Sequence, residues 1–279
     1  MPILDSYAGL IEALKGEMTP KFLATLGADG RPNVVPVTST MPAGDVPDRL
    51  IFGNFLLRKS VDNLNSDTRL GILVITPGLE GWVLQGDFLG WERAGPYVDK
   101  LNSTDLLRYN AYTGIRNAGI VEVRAVLAHV KIPKLEVLRD YLLARLARPP
   151  ASAGQSVPMP APARRRFAAM TKVCALAYVG EAAAVPGAVP GYPVVAPLLS
   201  LQPAGERALA CAEGRAAGLL AGLSAGMPVA ANLLTMDVVS FQVKGRWLGE
   251  QRRLGARLGT MAVTDVYAGG PPMPGRRIA

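Results

Sequence analysis

From Lys21 onward the chain alternates apolar and polar positions in short runs separated by turn residues, a period of two that predicts strands. Lys21 to Gly27 is the first run, Ala28-Asp29-Gly30-Arg31 carries hairpin chemistry, and Pro32 to Thr40 returns as the second strand. Pro32 and Pro36 cannot donate to a ladder, which predicts an edge or a bulge beside a site. Arg49 to Phe52, Leu70 to Thr76, Gly81 to Leu89 and Gly119 to Val130 predict further strands, with a short helix over Arg58 to Asn65. The period turns helical over Asp5 to Lys15, with Asp5 or Ser6 as cap, and over Leu135 to Arg148, which stops before Pro149 and Pro150. Short, mostly antiparallel strands around one small helix predict a closed or nearly closed barrel.

The pattern then recurs. Gly30, Pro32, Val34, Pro36 and Ser39 return as Gly191, Pro193, Val195, Pro197 and Ser200, all at one constant offset. Leu64, Thr76, Gly86, Leu89 and Gly90 return as Leu223, Thr235, Gly245, Leu248 and Gly249, again at one offset, and Thr260 to Tyr267 stands where Gly119 to Val130 stands in the first copy. Two blocks that keep order and spacing predict an internal duplication. Pro149 to Ala163, dense in Pro, Ala and Ser, reads as a linker. The expected domains are therefore a barrel over 1–148, a linker over 149–163 and a degenerate second barrel over 164–279.

Composition narrows the chemistry. Of 279 residues 49% are hydrophobic and 19% charged, enough to bury real cores. Two cysteines, Cys174 and Cys211, and one histidine, His129, allow neither a disulfide framework nor a cysteine-rich or histidine-cluster metal site, and a reducing cytoplasm is the expected compartment. The net charge of +8 permits an anionic partner, but the arginines fall in short separated clusters rather than one stripe, which argues against nucleic acid. The N-terminus lacks the basic residues and apolar core of a secretory signal, and the uncharged run Ala216 to Met236 is interrupted by glycines and Pro228, so it reads as a buried helix and strand, not a membrane span.

The densest candidate chemistry lies at the predicted helix start, where Arg58, Lys59 and Ser60 bring two cations and a hydroxyl to unpaired backbone donors, as a phosphate requires. The second copy places Ala217, Gly218 and Leu219 there, so its phosphate chemistry is expected to be gone. No Ser/His/Asp or Cys/His set and no catalytic carboxylate pair is identifiable, and Trp82, Trp91 and Trp247 read as packing residues.

The ordered set Phe22-Leu23-Ala24-Thr25, Gly30-Arg31-Pro32-Asn33-Val34-Val35-Pro36-Val37, Gly53-Asn54-Phe55, Lys59-Ser60, Asn63-Leu64 and Gln85-Gly86 resembles the pyridoxamine 5′-phosphate oxidase-like split-barrel flavoproteins, over most of residues 18 to 130. The resemblance implies a mainly β (α+β) fold of tandem split β-barrels with short covering helices, and FMN in a groove between paired barrels. It implies that Lys59 and Ser60, with Arg58 adjacent, hold the phosphate. Pro36, Val37, Thr38 and Ser39 would run beside the flavin ring, Asn54 and Phe55 would form the loop at the phosphate-side helix, and Gln85 would be a polar group near the ring. Lys244, Arg246 and Trp247, the repeat counterparts of Gln85, Asp87 and Phe88, are the second-half residues expected nearest the groove.

The implied function is a cytoplasmic FMN-dependent oxidoreductase moving a hydride or electrons between flavin and a small-molecule substrate. A deazaflavin, F420, is the alternative ligand. A non-catalytic flavin carrier or sensor, or a cofactor-free interaction module, are the alternative roles. The implied assembly is an intrachain pseudo-dimer, with a homodimer through the first halves as the alternative. The terminal segment Gly269 to Ala279 lacks the Arg-Leu-x-Pro and Arg-Leu-His patterns of the vitamin B6 oxidases, which argues against that substrate, and His129 lies mid-strand, which argues against a haem ligand.

Overall fold

The computed structural model describes residues 1–55, 57–104, 114–149, 156–180, 184–270 and 274–279. It is mainly β, with two seven-stranded antiparallel sheets and a few short helices. In the first half β1 (Lys21–Leu26), β2 (Pro32–Pro36), β3 (Met41–Pro42), β4 (Arg49–Gly53), β5 (Arg69–Ile75), β6 (Glu80–Glu92) and β7 (Ala118–Lys131) lie in the order β2-β1-β5-β6-β7-β4-β3. In the second half β8 (Lys172–Tyr178), β9 (Val194–Pro197), β10 (Gln202–Pro203), β11 (Ala208–Ala212), β12 (Pro228–Thr235), β13 (Ser240–Arg253) and β14 (Ala256–Ala268) lie in the order β10-β11-β14-β13-β12-β8-β9, the same path read from the other edge. Two of the irregularities also agree. The β6–β7 ladder slips between Gln85 and Gly86 and between Phe88 and Gly90, and β13–β14 slips between Lys244 and Gly245 and between Trp247 and Gly249. Neither sheet joins its two edge strands, so the expected barrels are split rather than closed.

The predicted first-half strands are present with changed lengths, and β3 and the helix α3 (Pro96–Asn102) in that half were not anticipated. The predicted second strand stops at Pro36 because the chain then turns. Thr40 donates from both its backbone N–H (3.2 Å) and its hydroxyl (2.9 Å) to the Val37 carbonyl. The N-terminal helix is shorter than its sequence pattern. A single 3-10 turn covers Leu4–Ser6, and α1 (Leu10–Lys15) starts from Gly9 at φ 77° with no side-chain cap, so neither Asp5 nor Ser6 caps it. The helix after β4, α2, runs Lys59–Ser66. The uncharged run from Ala216 falls in the 3-10 segment Gly214–Leu220 and in β12, and among the described residues no helix is long and apolar enough to cross a membrane.

The nearly unbroken apolar composition of the central strands follows from burial on both faces. Leu23, Ile72, Val74, Trp82 and Leu84 point into a core covered by α1 and α2, while their neighbours Phe22, Leu73 and Val83 point into a second core shared with Leu176, Leu233 and Trp247 of the second half. Burying one large apolar side chain contributes about 1.5–3 kcal/mol, so this shared core fastens the halves together. At the closest approach a Cβ on Gly71 would stand 2.5 Å from the Pro193 carbonyl oxygen, which leaves room only for glycine.

Two segments depart from the expected division of the chain. The helix α4 (Lys134–Ala144) follows the first sheet in sequence but packs on the second. Gln202 donates to the Tyr141 carbonyl at 2.6 Å, Glu136 pairs with Arg215 at 2.6 Å, and Leu143 and Ala147 join Ala210, Ala212 and Leu258. The stretch read as a linker is structured at its end, where Val157 donates to the Val263 carbonyl at 2.8 Å, Met159 is buried and α5 (Ala161–Ala168) begins. Residues 150–155 lie outside those described.

Candidate functional site

Between the two halves, at the junction of β2 and α2 with β12, β13 and the end of β14, lies a cavity of about 340 Å³, within the range of small-molecule sites. One wall is built by the end of β2 and the turn after it, where Val35, Pro36, Val37, Thr38 and Ser39 all line the space. This turn is anchored from behind. The buried Lys21 ammonium donates to the carbonyls of Thr38 (2.9 Å) and Gly16 (2.7 Å), and the Ser39 hydroxyl accepts from the Gly53 N–H at 3.0 Å. Burial pushes the Lys21 ammonium down to about 8, with Glu17 opposing.

The start of α2 forms the polar end, with Phe55, Leu57, Arg58, Lys59 and Ser60 lining it. No side chain caps this helix, so its first N–H groups and its positive dipole end are available to an anion. Asn33 donates from Nδ2 to the Ser60 hydroxyl oxygen at 3.1 Å, which leaves the Ser60 O–H proton free to be donated. Arg58 is exposed, and Lys59 is half-buried with its ammonium 3.1 Å from the centroid of the Tyr267 ring. Burial lowers the Lys59 pKa, with Asp265 opposing the change and Arg277 and Arg31 adding to it.

The second half closes the cavity with Asn232, Leu234, Ser240, Gln242, Tyr267 and Gly269, residues that sequence reasoning did not single out. Two of them also lock the halves together. Asn232 and Gln242 donate to the Val34 carbonyl at 3.1 and 2.5 Å. The available signal was a polar Asn232 inside an otherwise apolar buried run, which marks an interior contact that must be satisfied.

Beside Lys59 the charges are unbalanced. Arg31 and Arg277 each reach Asp265 at 3.1 Å, whereas no hydrogen bond or ion pair is made by the Lys244 ammonium to any described residue. Burial first, then Lys59 and Arg31, push the Lys244 ammonium down to about 8. Four cations thus gather around Asp265, with Asp29 also acting on Lys244, an excess of positive charge that an anion would relieve.

Eight of the ten sequence-derived candidates, Pro36, Val37, Thr38, Ser39, Phe55, Arg58, Lys59 and Ser60, therefore converge on one cavity, and two do not. Gln85 is buried at the contact between halves, accepting from the Val189 N–H at 2.8 Å and donating to the carbonyls of Tyr192 and Pro193 at 3.3 Å. Its amide is consumed in holding the halves together. Asn54 is buried behind the cavity and exchanges backbone bonds with Asn117 and Arg116. Of the second-half residues expected at the groove, Lys244 is in the charge cluster, but Trp247 is buried in the shared core and Arg246 is exposed and bonded to the Gly226 carbonyl. His129 stacks on Trp82 and bonds Glu80 at 2.7 Å, away from the cavity.

The described cavity lining contains no Asp, Glu, His or Cys, so its side chains can bind, orient and exclude water but offer no carboxylate, imidazole or thiol for acid–base or nucleophilic work.

No family model matches the sequence, and no curated protein matches it. Among solved structures it is similar to an FMN-binding protein from Syntrophomonas wolfei, at 16% identity over 47% of this chain and 88% of that one, with a TM-score of 0.38. It is similar to HupZ of Group A Streptococcus at 16% identity over 44% of this chain and 95% of that one, TM-score 0.36. An F420 reductase is similar at 22% identity over 43% of this chain and 96% of that one, TM-score 0.32. Each of the three spans less than half of this chain.

Proposed function

We propose that the cavity between the halves binds FMN, its phosphate at Arg58, Lys59 and Ser60 and its ring along Pro36 to Ser39, and that the protein is an FMN-dependent oxidoreductase acting on a small molecule. The observation that carries this reading is the convergence of a helix start bearing two cations and a hydroxyl with an apolar strand wall in one cavity. The residues suit the group: the phosphate end has donors and excess positive charge, and the ring end is lined by Val35, Pro36, Val37 and Leu234. Bound flavin would supply hydride or electron transfer. The chain's own residues would bind and orient. Lys59 and Ser60 fix the phosphate, the Lys21 ammonium holds the Thr38 carbonyl and with it the wall, and the second half excludes water.

On this reading the halves are diverged copies of one split barrel that pair within the chain, only the first keeping a phosphate site. A deazaflavin would meet the same wall and the same cations. A carrier or sensor role without turnover is the second reading, favoured by the absence of Asp, Glu, His and Cys from the described lining.

Mass spectrometry of the small molecule that copurifies tests the ligand, with FMN expected. Each charge-assisted phosphate contact contributes about 1.5–3 kcal/mol, so Lys59→Ala combined with Ser60→Ala should weaken FMN binding by at least about 100-fold, read from flavin fluorescence quenching. Unchanged affinity in a folded double variant would refute the assignment. Flavin reduced by a nicotinamide and reoxidised by a substrate separates enzyme from carrier.

A further inference from the structure

The β5–β6 and β12–β13 hairpins turn through the same loop. Thr76 donates from its N–H to the Glu80 carbonyl (2.8 Å) and Leu79 to the Thr76 carbonyl (2.9 Å). In the second half Thr235 donates to Val239 (3.0 Å) and Val238 to Thr235 (3.0 Å). The last loop residue lies in the left-handed region in both, Leu79 at φ 63° and Val238 at φ 58°. Glycine is the residue suited to that place, and a bulky side chain there is a genuine outlier, most of all a β-branched one.

Leu79 has a packing reason to be there. It lies against the cluster of Ile75, Ile132 and Leu199, which fills the space under its own hairpin. Val238 has none. It is 71% exposed, belongs to none of the hydrophobic clusters, and lines the cavity. A strained backbone kept at a cavity wall without any packing within the protein points to a contact made with something else.

We propose that Val238 is the specificity-determining residue of this cavity, its isopropyl group held by the strained hairpin to contact a flat apolar ring in the bound ligand. The contact would be with the ring and not with the phosphate, so it sorts ligands by their ring system. This inference rests on reading the cavity as a ring-binding site, and it adds a second-half residue, beside Leu234, to a site whose remaining ring contacts come from β2 and the turn after it.

Val238→Gly relieves the backbone and deletes the contact, and Val238→Asn keeps a left-handed-tolerant residue while making it polar. FMN, riboflavin (the ring without the phosphate) and anilinonaphthalene sulfonate (a flat ring system that is not a flavin) are titrated by fluorescence into the full chain, and urea midpoints are measured alongside. Both variants should bind FMN and riboflavin about tenfold more weakly, with the midpoint of the glycine variant equal to or above wild type. Unchanged ring affinity, or a loss that comes with a lowered midpoint in both variants, overturns the inference. If FMN binding is intact in the variants but at least about tenfold weaker in Lys59→Ala, the flavin reading stands and the role of Val238 falls. If wild type binds only anilinonaphthalene sulfonate, and does so through Val238, the flavin reading falls and the ring contact stands. Failure of wild type to bind any of the three removes both.

Discussion

The two halves share one strand order, yet the places where each meets the other's β-hairpin differ completely. Under the first half's β2 the cavity measures about 340 Å³. The topologically matching place beside β9 keeps a gap of only about 20 Å³, lined by Ile132, Val137, Leu198, Leu199 and Ser200. At the positions matching Pro36-Val37-Thr38-Ser39 the second half carries Pro197-Leu198-Leu199-Ser200, and Ile132 with Val137 of α4 covers it. The polar ends differ in charge. Lys59, Lys244, Arg31 and Arg277 gather beside the first. The outer part of the second, a pocket of about 300 Å³, presents Asp140 and Glu213 with Arg139 and Arg257. Glu213 is buried, and that burial, with Glu250 close by and Arg257 opposing, pushes its carboxyl up to about 8. A β framework therefore does not carry a binding site by itself. A few side chains and the docking of α4 decide whether that place is open and cationic or closed by packing, with a pocket of mixed charge outside it.

The comparison is broken most directly at the equivalent wall positions. Leu199 is buried against Ile75 and Ile132, so Leu199→Ala should cost about 2–5 kcal/mol of stability in urea unfolding. Thr38→Ala, at the half-buried counterpart lining the open cavity, should change stability by less than about 1 kcal/mol. Equal effects at the two positions would mean that the second cleft is not a packed core.

A smaller effect sharpens the electrostatic side. Burial, with Lys59 and Arg31, holds the Lys244 ammonium down to about 8, and a dianion bound at Lys59 would raise that value. Affinity for FMN is then full below pH 8 and falls as pH rises through it, by up to about tenfold per pH unit until the bound-state value is reached. Lys244→Met should bind more weakly at pH 7 and lose this slope. A slope that survives the substitution would place the titrating cation elsewhere.

Short apolar and β-branched runs bounded by turn residues located the long strands, whose centres are buried on both faces, and the hairpin turn at Gly30, φ 71°, is local chemistry. The two-residue strand β3 is too short to leave a pattern, although Gly95 before Pro96 was a readable signal for α3. The cavity's first-half wall was legible because its residues are contiguous in sequence. The second-half wall was not, since Asn232 and Gln242 reach Val34 from about 200 positions away. Gln85 was misplaced for the same reason: a polar strand residue can satisfy another half's backbone as readily as a ligand. The docking of α4 on the second sheet depends on its neighbours there, Ala210, Ala212 and Leu258, and not on its own periodicity.

The central claim is that one of the two matched clefts, and only one, grips a phosphorylated ring. Calorimetric titration of flavin-stripped protein with FMN counts the sites: one per chain in wild type, and the same single site at least about tenfold weaker in Lys59→Ala. Two sites per chain, or a single site whose affinity is unchanged by loss of the Lys59 side chain, would contradict the account.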